Sequence, residues 1–177
     1  MKASFGSGDA AVIMAYAGSL YEQTTRYQES FDDGLAQGWT AASGTWAVTS
    51  NRYQQSNTTL NNTNTYRAVA QAGPLFYHWV ATYTSGTNAG LYLFASAGTG
   101  TERGNGYRIW QDGGYVRLYE NAANVATLRA SFTASNAAGQ THSYNVFYDP
   151  ATGKLSLSRD GVALGSWIDT TPPSLVS

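Results

Sequence analysis

Glycines, together with three Asp-Gly pairs at residues 33–34, 112–113 and 160–161, punctuate this chain into short segments. Within those segments an aromatic or branched residue alternates with a small or polar one. Residues 31–54, F-D-D-G-x₃-G-W-x₄-G-x-W-x-V-x₃-R-Y-x-Q, set the pattern. A period of two puts successive side chains on opposite faces of a strand, and Asp-Gly supplies the tight turn that reverses it. No apolar period of 3.6 persists beyond about two turns, so helix is not expected. Turn chemistry at roughly ten-residue spacing predicts an all-β, antiparallel two-sheet sandwich of jelly-roll type.

The rest of the chain fits that grammar. Residues 45–49 alternate around Trp46 and Val48. Residues 65–71 and 75–84 read as strands separated by a hairpin loop at Ala72, Gly73 and Pro74. The nearly continuous apolar run 90–96 (GLYLFAS) predicts a central strand or a sheet buried on both faces. Residues 106–111 and 114–120 flank a turn at Asp112 and Gly113, and 125–132 follow. Residues 143–148 and 154–158 flank D-P-A-T-G, and Asp160 with Gly161 leads into 162–168. Two polar loops, 56–64 and 95–106, exceed tight-turn length and read either as surface loops or as the rim of a ligand site.

Composition narrows function by exclusion. The 177 residues fit one domain with a substantial core. Charged residues are only 12% and aromatics 14%, including 13 Tyr and 5 Trp, which is the reverse of a disordered chain. A net charge of −1 gives nucleic acid or anionic lipid nothing to be attracted to. There is no cysteine, hence no disulfide or thiolate metal site. No apolar run approaches the roughly 18 residues that a membrane-spanning helix requires. The apolar stretch 10–17 is short and lacks a charged flank, so it does not read as a signal peptide.

The most informative local inference concerns residues 106–120. If Asp112 and Gly113 form a two-residue turn, Gln111 pairs with Gly114, Trp110 with Tyr115, Ile109 with Val116, Arg108 with Arg117 and Tyr107 with Leu118. Opposed residues share a face. One face then carries Tyr107, Ile109, Val116 and Leu118, which is core. The other carries Arg108, Trp110, Tyr115, Arg117 and Tyr119. Aromatic rings stack on the C–H faces of sugars, and guanidinium forks donate to hydroxyls or carboxylates. These five residues are the candidate carbohydrate-binding set, an acidic sugar being one candidate ligand. The alternative is a face covered by another part of the sandwich. Two directly opposed arginines repel, so Glu102, Glu120, aromatic stacking or a ligand must compensate.

Several motifs, in their order, resemble the concanavalin A-like lectin/glucanase superfamily, in its laminin-G-like bacterial branch. They are FDDGLAQGW, SGTWAV, RYQQ, NGYRIW, YVRLYE and HSYNVFYDPATGKLSLSRDGVALGSWIDTTP, spanning residues 31–172. The resemblance implies a sandwich domain over residues 26–177. It also implies a non-catalytic carbohydrate-binding or adhesion module of a larger bacterial protein, extracellular or at the cell surface. A further implication is a structural Ca²⁺ site from Asp32 and Asp33 with Asp169, although a turn in which Asp caps the F-D-D-G bend is the favoured reading of Asp32 and Asp33. The chain stops where such sandwiches usually continue with a closing strand. Residues 1–25 are therefore expected to form an N-terminal segment in which 2–14 supplies that strand, in this chain or in a neighbour, which would make a homo-oligomer. Residues 16–25 (YAGSLYEQTT) resemble the YD/RHS repeats of bacterial surface proteins, or are an ordinary strand or linker.

Two other function classes stay in view: a structural or protein-interaction domain that self-associates through its termini, and a divergent glycan-cleaving enzyme. Glucanases of the superfamily use paired strand carboxylates. Here none of the four glutamates, Glu22, Glu29, Glu102 and Glu120, opens an E-x-D-x-x-E type strand motif. The histidines, His78 and His142, show no metal-ligand spacing, and His78 is expected in the core or on a sheet face.

Overall fold

The computed structural model describes residues 13–16, 19–22, 27–57, 59–60, 62–69, 73–83, 88–99 and 102–172. Among them there is no helix, and so no helix able to cross a membrane. In chain order the strands are β1 (Ile13–Tyr16), β2 (Ser19–Glu22), β3 (Thr40–Ser43), β4 (Trp46–Val48), β5 (Tyr53–Gln55), β6 (Asn64–Tyr66) and β7 (Leu75–Thr82). They continue with β8 (Asn88–Leu93), β9 (Gly106–Asp112), β10 (Tyr115–Ala122), β11 (Val125–Thr133), β12 (Thr141–Asp149), β13 (Lys154–Arg159) and β14 (Val162–Ile168).

Two four-stranded antiparallel sheets form the body: a front sheet ordered β11-β10-β9-β8 and a back sheet ordered β14-β13-β12-β7. The expected all-β sandwich is what forms. Alternation decides which side of each sheet is dry. From the front sheet Tyr107, Ile109, Val116 and Leu118 point inward, each at most 2% exposed; from the back sheet Tyr144, Val146, Tyr148, Leu155 and Leu157 meet them. Burying one such aliphatic side chain contributes roughly 1.5–3 kcal/mol, so this interior drives the association of the sheets. Aromatic rings fill the space between the layers. Trp79 stacks on Tyr144 with centroids 5.1 Å apart, and Phe94 packs edge-on against Tyr107 and Tyr148.

One buried polar side chain, Gln111, spans the sandwich. Gln111 donates through Nε2 to the carbonyls of Tyr115 and Ala134, at 2.9 and 3.0 Å, and accepts from the Tyr144 hydroxyl at 3.0 Å. It thereby ties the β9–β10 turn, the end of β11 and the back sheet together.

Several expectations change. Residues 65–71 and 75–84 do not form a hairpin: β6 pairs with β3, whereas β7 pairs with β12. The apolar run 90–96 yields β8, which lies at the edge of the front sheet. Its outward residue Tyr92 is shielded not by another strand but by Arg103 and Arg108, whose guanidinium carbons lie 5.3 and 5.8 Å from its ring. Of the N-terminal segment, β1 pairs with β2, Ile13 opposite Glu22 and Met14 opposite Tyr21. Residues 1–12 lie outside the described part. His78 takes one of its two expected places, on the solvent face of the back sheet, with Nδ1 2.8 Å from Asn145 Oδ1.

The ribbons β3–β6 and β4–β5 form a satellite around Tyr53, whose ring contacts Phe31, Trp39 and Trp46. Asn64 donates to the Gly98 carbonyl at 2.7 Å, and Arg103 donates to Asn62 at 2.9 Å. The satellite therefore braces the loop that runs from β8 to β9.

Candidate functional site

The turn between β9 and β10 consists of Gly113 and Gly114, one residue later than expected. Gly113 has φ +52°, while Gly114 is outside the left-handed region. A glycine at the first central position with φ positive only there is the pattern of a type II′ hairpin turn. Moving both turn residues by one changes every pairing but leaves each side chain on its face. Trp110 lies opposite Arg117, Arg108 opposite Tyr119, and Asp112 opposite Tyr115. The direct Arg108–Arg117 opposition therefore does not occur. Each guanidinium faces an aromatic ring instead, which removes a like-charge clash from the hairpin.

Pairing across all four strands arranges the outward face of the front sheet in three rows. Nearest the turn lie Asn88, Asp112, Tyr115 and Thr133. Next come Gly90, Trp110, Arg117 and Ser131, and then Tyr92, Arg108, Tyr119 and Leu128. Rows are about 7 Å apart, two residues along a strand. All five sequence-predicted residues, Arg108, Trp110, Tyr115, Arg117 and Tyr119, share this face. Gly90 keeps the surface beside Trp110 flat. A Cβ there would meet the Ile109 carbonyl oxygen at 1.9 Å, so only glycine lets β8 lie this close to β9.

Arg108 is the hub of the third row. Its guanidinium donates to Glu102 Oε2 at 2.8 Å and to the Tyr92 hydroxyl at 3.2 Å. The guanidinium carbon lies 4.2 Å from the Tyr119 ring centre and 5.3 Å from that of Trp110. Burial pushes the Tyr92 hydroxyl above its ordinary pKa, and the hydrogen bond from Arg108 partly offsets this. Arg117 pairs with Asp112 at 2.5 Å and lies 5.1 Å from the Tyr115 ring. Its contact with Tyr119 raises its pKa first, desolvation works against that, and Asp112 adds to the rise. Arg108 is nearly covered, its side chain 14% exposed, whereas Arg117 is 31% and Tyr115 43% exposed.

One end of the face is walled. Asn121 donates to the Glu102 carbonyl at 2.7 Å, Gly104 N donates to Asn124, and Ala123 N donates to Asn105. These bonds fold the β8–β9 loop over the last row. The other end stops at two glycines without side chains. Of the compensating groups expected from the sequence, Glu102 does pair with Arg108, but Glu120 pairs with Arg129 at 2.8 Å. Tyr92 and Asp112 escaped the sequence-level site because one sat in an apolar run and the other was assigned to the turn.

The expected calcium set is not assembled. Asp169 is 3% exposed, and its carboxylate accepts from the Tyr107 hydroxyl and the Thr171 amide, both at 2.8 Å. Asp33 accepts from Leu35 N and Gln37 Nε2, and Asp32 is exposed. Among the described residues no three acidic or histidine side chains converge, whereas Ca²⁺ takes six to eight oxygens. The turn-forming alternative is the one realised at Asp33.

No protein-family model and no curated protein sequence matches the chain. Among solved structures, the carbohydrate-binding module CBM66 from Bacillus subtilis is similar, with a TM-score of 0.62 at 16% identity, over 76% of this chain and 81% of that one. At that identity the likeness concerns the fold: both chains are built on the same two-sheet sandwich architecture.

Proposed function

We propose that this domain is a non-catalytic carbohydrate-binding module, and that the outer face of the front sheet is its ligand surface. The supporting observation is a cluster of large aromatic and guanidinium side chains on one sheet face, Trp110, Tyr115, Arg117 and Tyr119, with the side-chain-free Gly90 beside Trp110. Planar rings offer C–H stacking, and Arg117 together with Asp112 offers directional hydrogen bonds. The structural likeness to a carbohydrate-binding module agrees with this reading. The module would serve a larger bacterial surface or secreted protein by anchoring it to a glycan.

Trp110→Ala and Arg117→Ala test the assignment. Each should weaken binding to whichever glycan the wild-type chain selects on a printed array by at least about tenfold, or roughly 1.4 kcal/mol. The thermal melt should stay close to wild type. Binding that survives both substitutions places the ligand elsewhere.

A second reading is self-association through the sheet edges. β7 and β8 each have a strand neighbour on one side only among the described residues, and such edges template pairing with another chain. Light scattering on the purified chain tests it, since a monomer at high concentration removes it.

A further inference from the structure

The same face also indicates what kind of sugar it takes. Resting on the carbohydrate reading, we propose that the ligand is an uncharged glycan, whose adjacent hydroxyls bridge the Asp112–Arg117 pair while a sugar ring lies on Trp110.

Charge is the first argument. Arginines alone would favour a uronic acid or a sulfated sugar. Here each guanidinium of the face already has a carboxylate: Arg108 has Glu102 and Arg117 has Asp112. The third nearby arginine, Arg103, covers Tyr92 at 5.3 Å, donates to Asn62 and is itself only 5% exposed, so it is shut away from a ligand. Two cations and two anions leave the platform balanced, so an anionic ligand would have to displace Asp112 or Glu102 or sit beside it. Like charges at that separation repel. A neutral sugar meets no such cost.

Unused hydrogen-bonding capacity is the second argument. Asp112 Oδ1 and the Nε atoms of Arg108 and Arg117 are buried and find no hydrogen-bond partner within the chain, so a ligand reaches them only when the side chains turn outward. An acceptor and a donor that remain unsatisfied side by side match a pair of neighbouring hydroxyls, one donating to Asp112 and the other accepting from Arg117. Arg117 is the more exposed of the two arginines and is the one able to turn toward such a ligand.

The wall formed by Glu102 and its loop adds direction. Arg108 is stacked and capped there, so the more exposed ion pair is the one near the glycine turn. The hydroxyl-reading position is thus on the open end of the face.

The test is a printed array of neutral, uronic-acid-containing and sulfated glycans, probed with the wild-type chain, Trp110→Ala and Asp112→Asn. The wild type should select neutral glycans, and raising NaCl from about 0.05 to 0.5 M should change its binding less than about twofold, because screening has no net charge to act on. Trp110→Ala should lose that binding. Asp112→Asn should lose roughly tenfold or more on neutral glycans and gain on uronic or sulfated ones, since Arg117 is then uncompensated. Preference of the wild type for acidic glycans, with Trp110→Ala still abolishing binding, would overturn the neutral-sugar inference and keep the face. Neutral-glycan binding that Trp110→Ala leaves intact would overturn the face itself, and no binding to any class would overturn both. A melt of Asp112→Asn matching wild type excludes misfolding as the cause of its loss.

Discussion

Gln111 shows how one polar residue can fix a register that apolar patterning leaves open. It is 2% exposed, and its amide serves the Tyr115 and Ala134 carbonyls and the Tyr144 hydroxyl at once. Replacing it with leucine keeps most of the volume, so the effect isolates the polar groups left behind. The buried Ala134 carbonyl and the part-buried Tyr115 carbonyl then each lose a partner, at about 1–3 kcal/mol apiece when no water enters, while the Tyr144 hydroxyl keeps its bond with Tyr83. Gln111→Leu should therefore lower the unfolding free energy by roughly 2–6 kcal/mol in urea titrations with the m-value unchanged. A change under about 0.5 kcal/mol would mean that these bonds are not the anchor. In the sequence, Gln111 is merely a polar residue beside a turn. Its inward direction was legible from parity, but not its three partners, because the carbonyl of Ala134 and the hydroxyl of Tyr144 come from distant strands.

At the scale of elements, the hairpin β9–β10 separates what parity determines from what it does not. A two-residue turn at residues 112–113 and one at 113–114 both put Ile109 and Val116 inside and Trp110 and Arg117 outside. Face membership was therefore readable, while the pairing partners were not. The structure resolves the choice in favour of Gly113 and Gly114, where Arg108 and Arg117 avoid facing one another. The two glycines then differ in what they tolerate. A side chain at Gly113, φ +52°, enters the left-handed region at a cost of roughly 1–2 kcal/mol, whereas a Cβ at Gly114 meets nothing within 4 Å. Gly113→Ala should lower stability by about that amount and Gly114→Ala by less than about 0.5 kcal/mol, measured by thermal melts. Equal costs at both positions would point to a type I′ turn. The same limit explains β8 and the β6–β7 misreading. An apolar run reports burial but not the source of the cover, and Ala72, Gly73 and Pro74 report a break without saying which strands it separates.

Across the whole molecule, tyrosine supplies both the core and its pH limit. Burial raises the hydroxyl pKa of Tyr77, Tyr83, Tyr92, Tyr107, Tyr144 and Tyr148, with Asp169 pushing Tyr107 further up. For these groups the folded pKa lies above the unfolded one. Their contribution to stability is accordingly complete below the unfolded value near 10 and is lost as pH rises beyond it, because only the unfolded chain then releases the proton. Each tyrosine held neutral in the native state adds up to about 1.4 kcal/mol of lost stability per pH unit above about 10. Asp160 sets the opposite limb. The Ser143 amide first, then His142 and Arg159, hold its carboxyl below the usual value of 3.8, so its contribution is present above that pH and fades as pH falls through the lowered pKa. Urea midpoints should thus form a plateau through neutral pH and fall steeply above about pH 10, with a slope corresponding to more than one proton. Ultraviolet absorbance should show tyrosinate appearing together with unfolding rather than before it. A midpoint that stays level to about pH 11, or core tyrosines that ionise while the sheets remain folded, would mean that the two layers do not close over these rings as tightly as the buried Tyr107 and Tyr148 require.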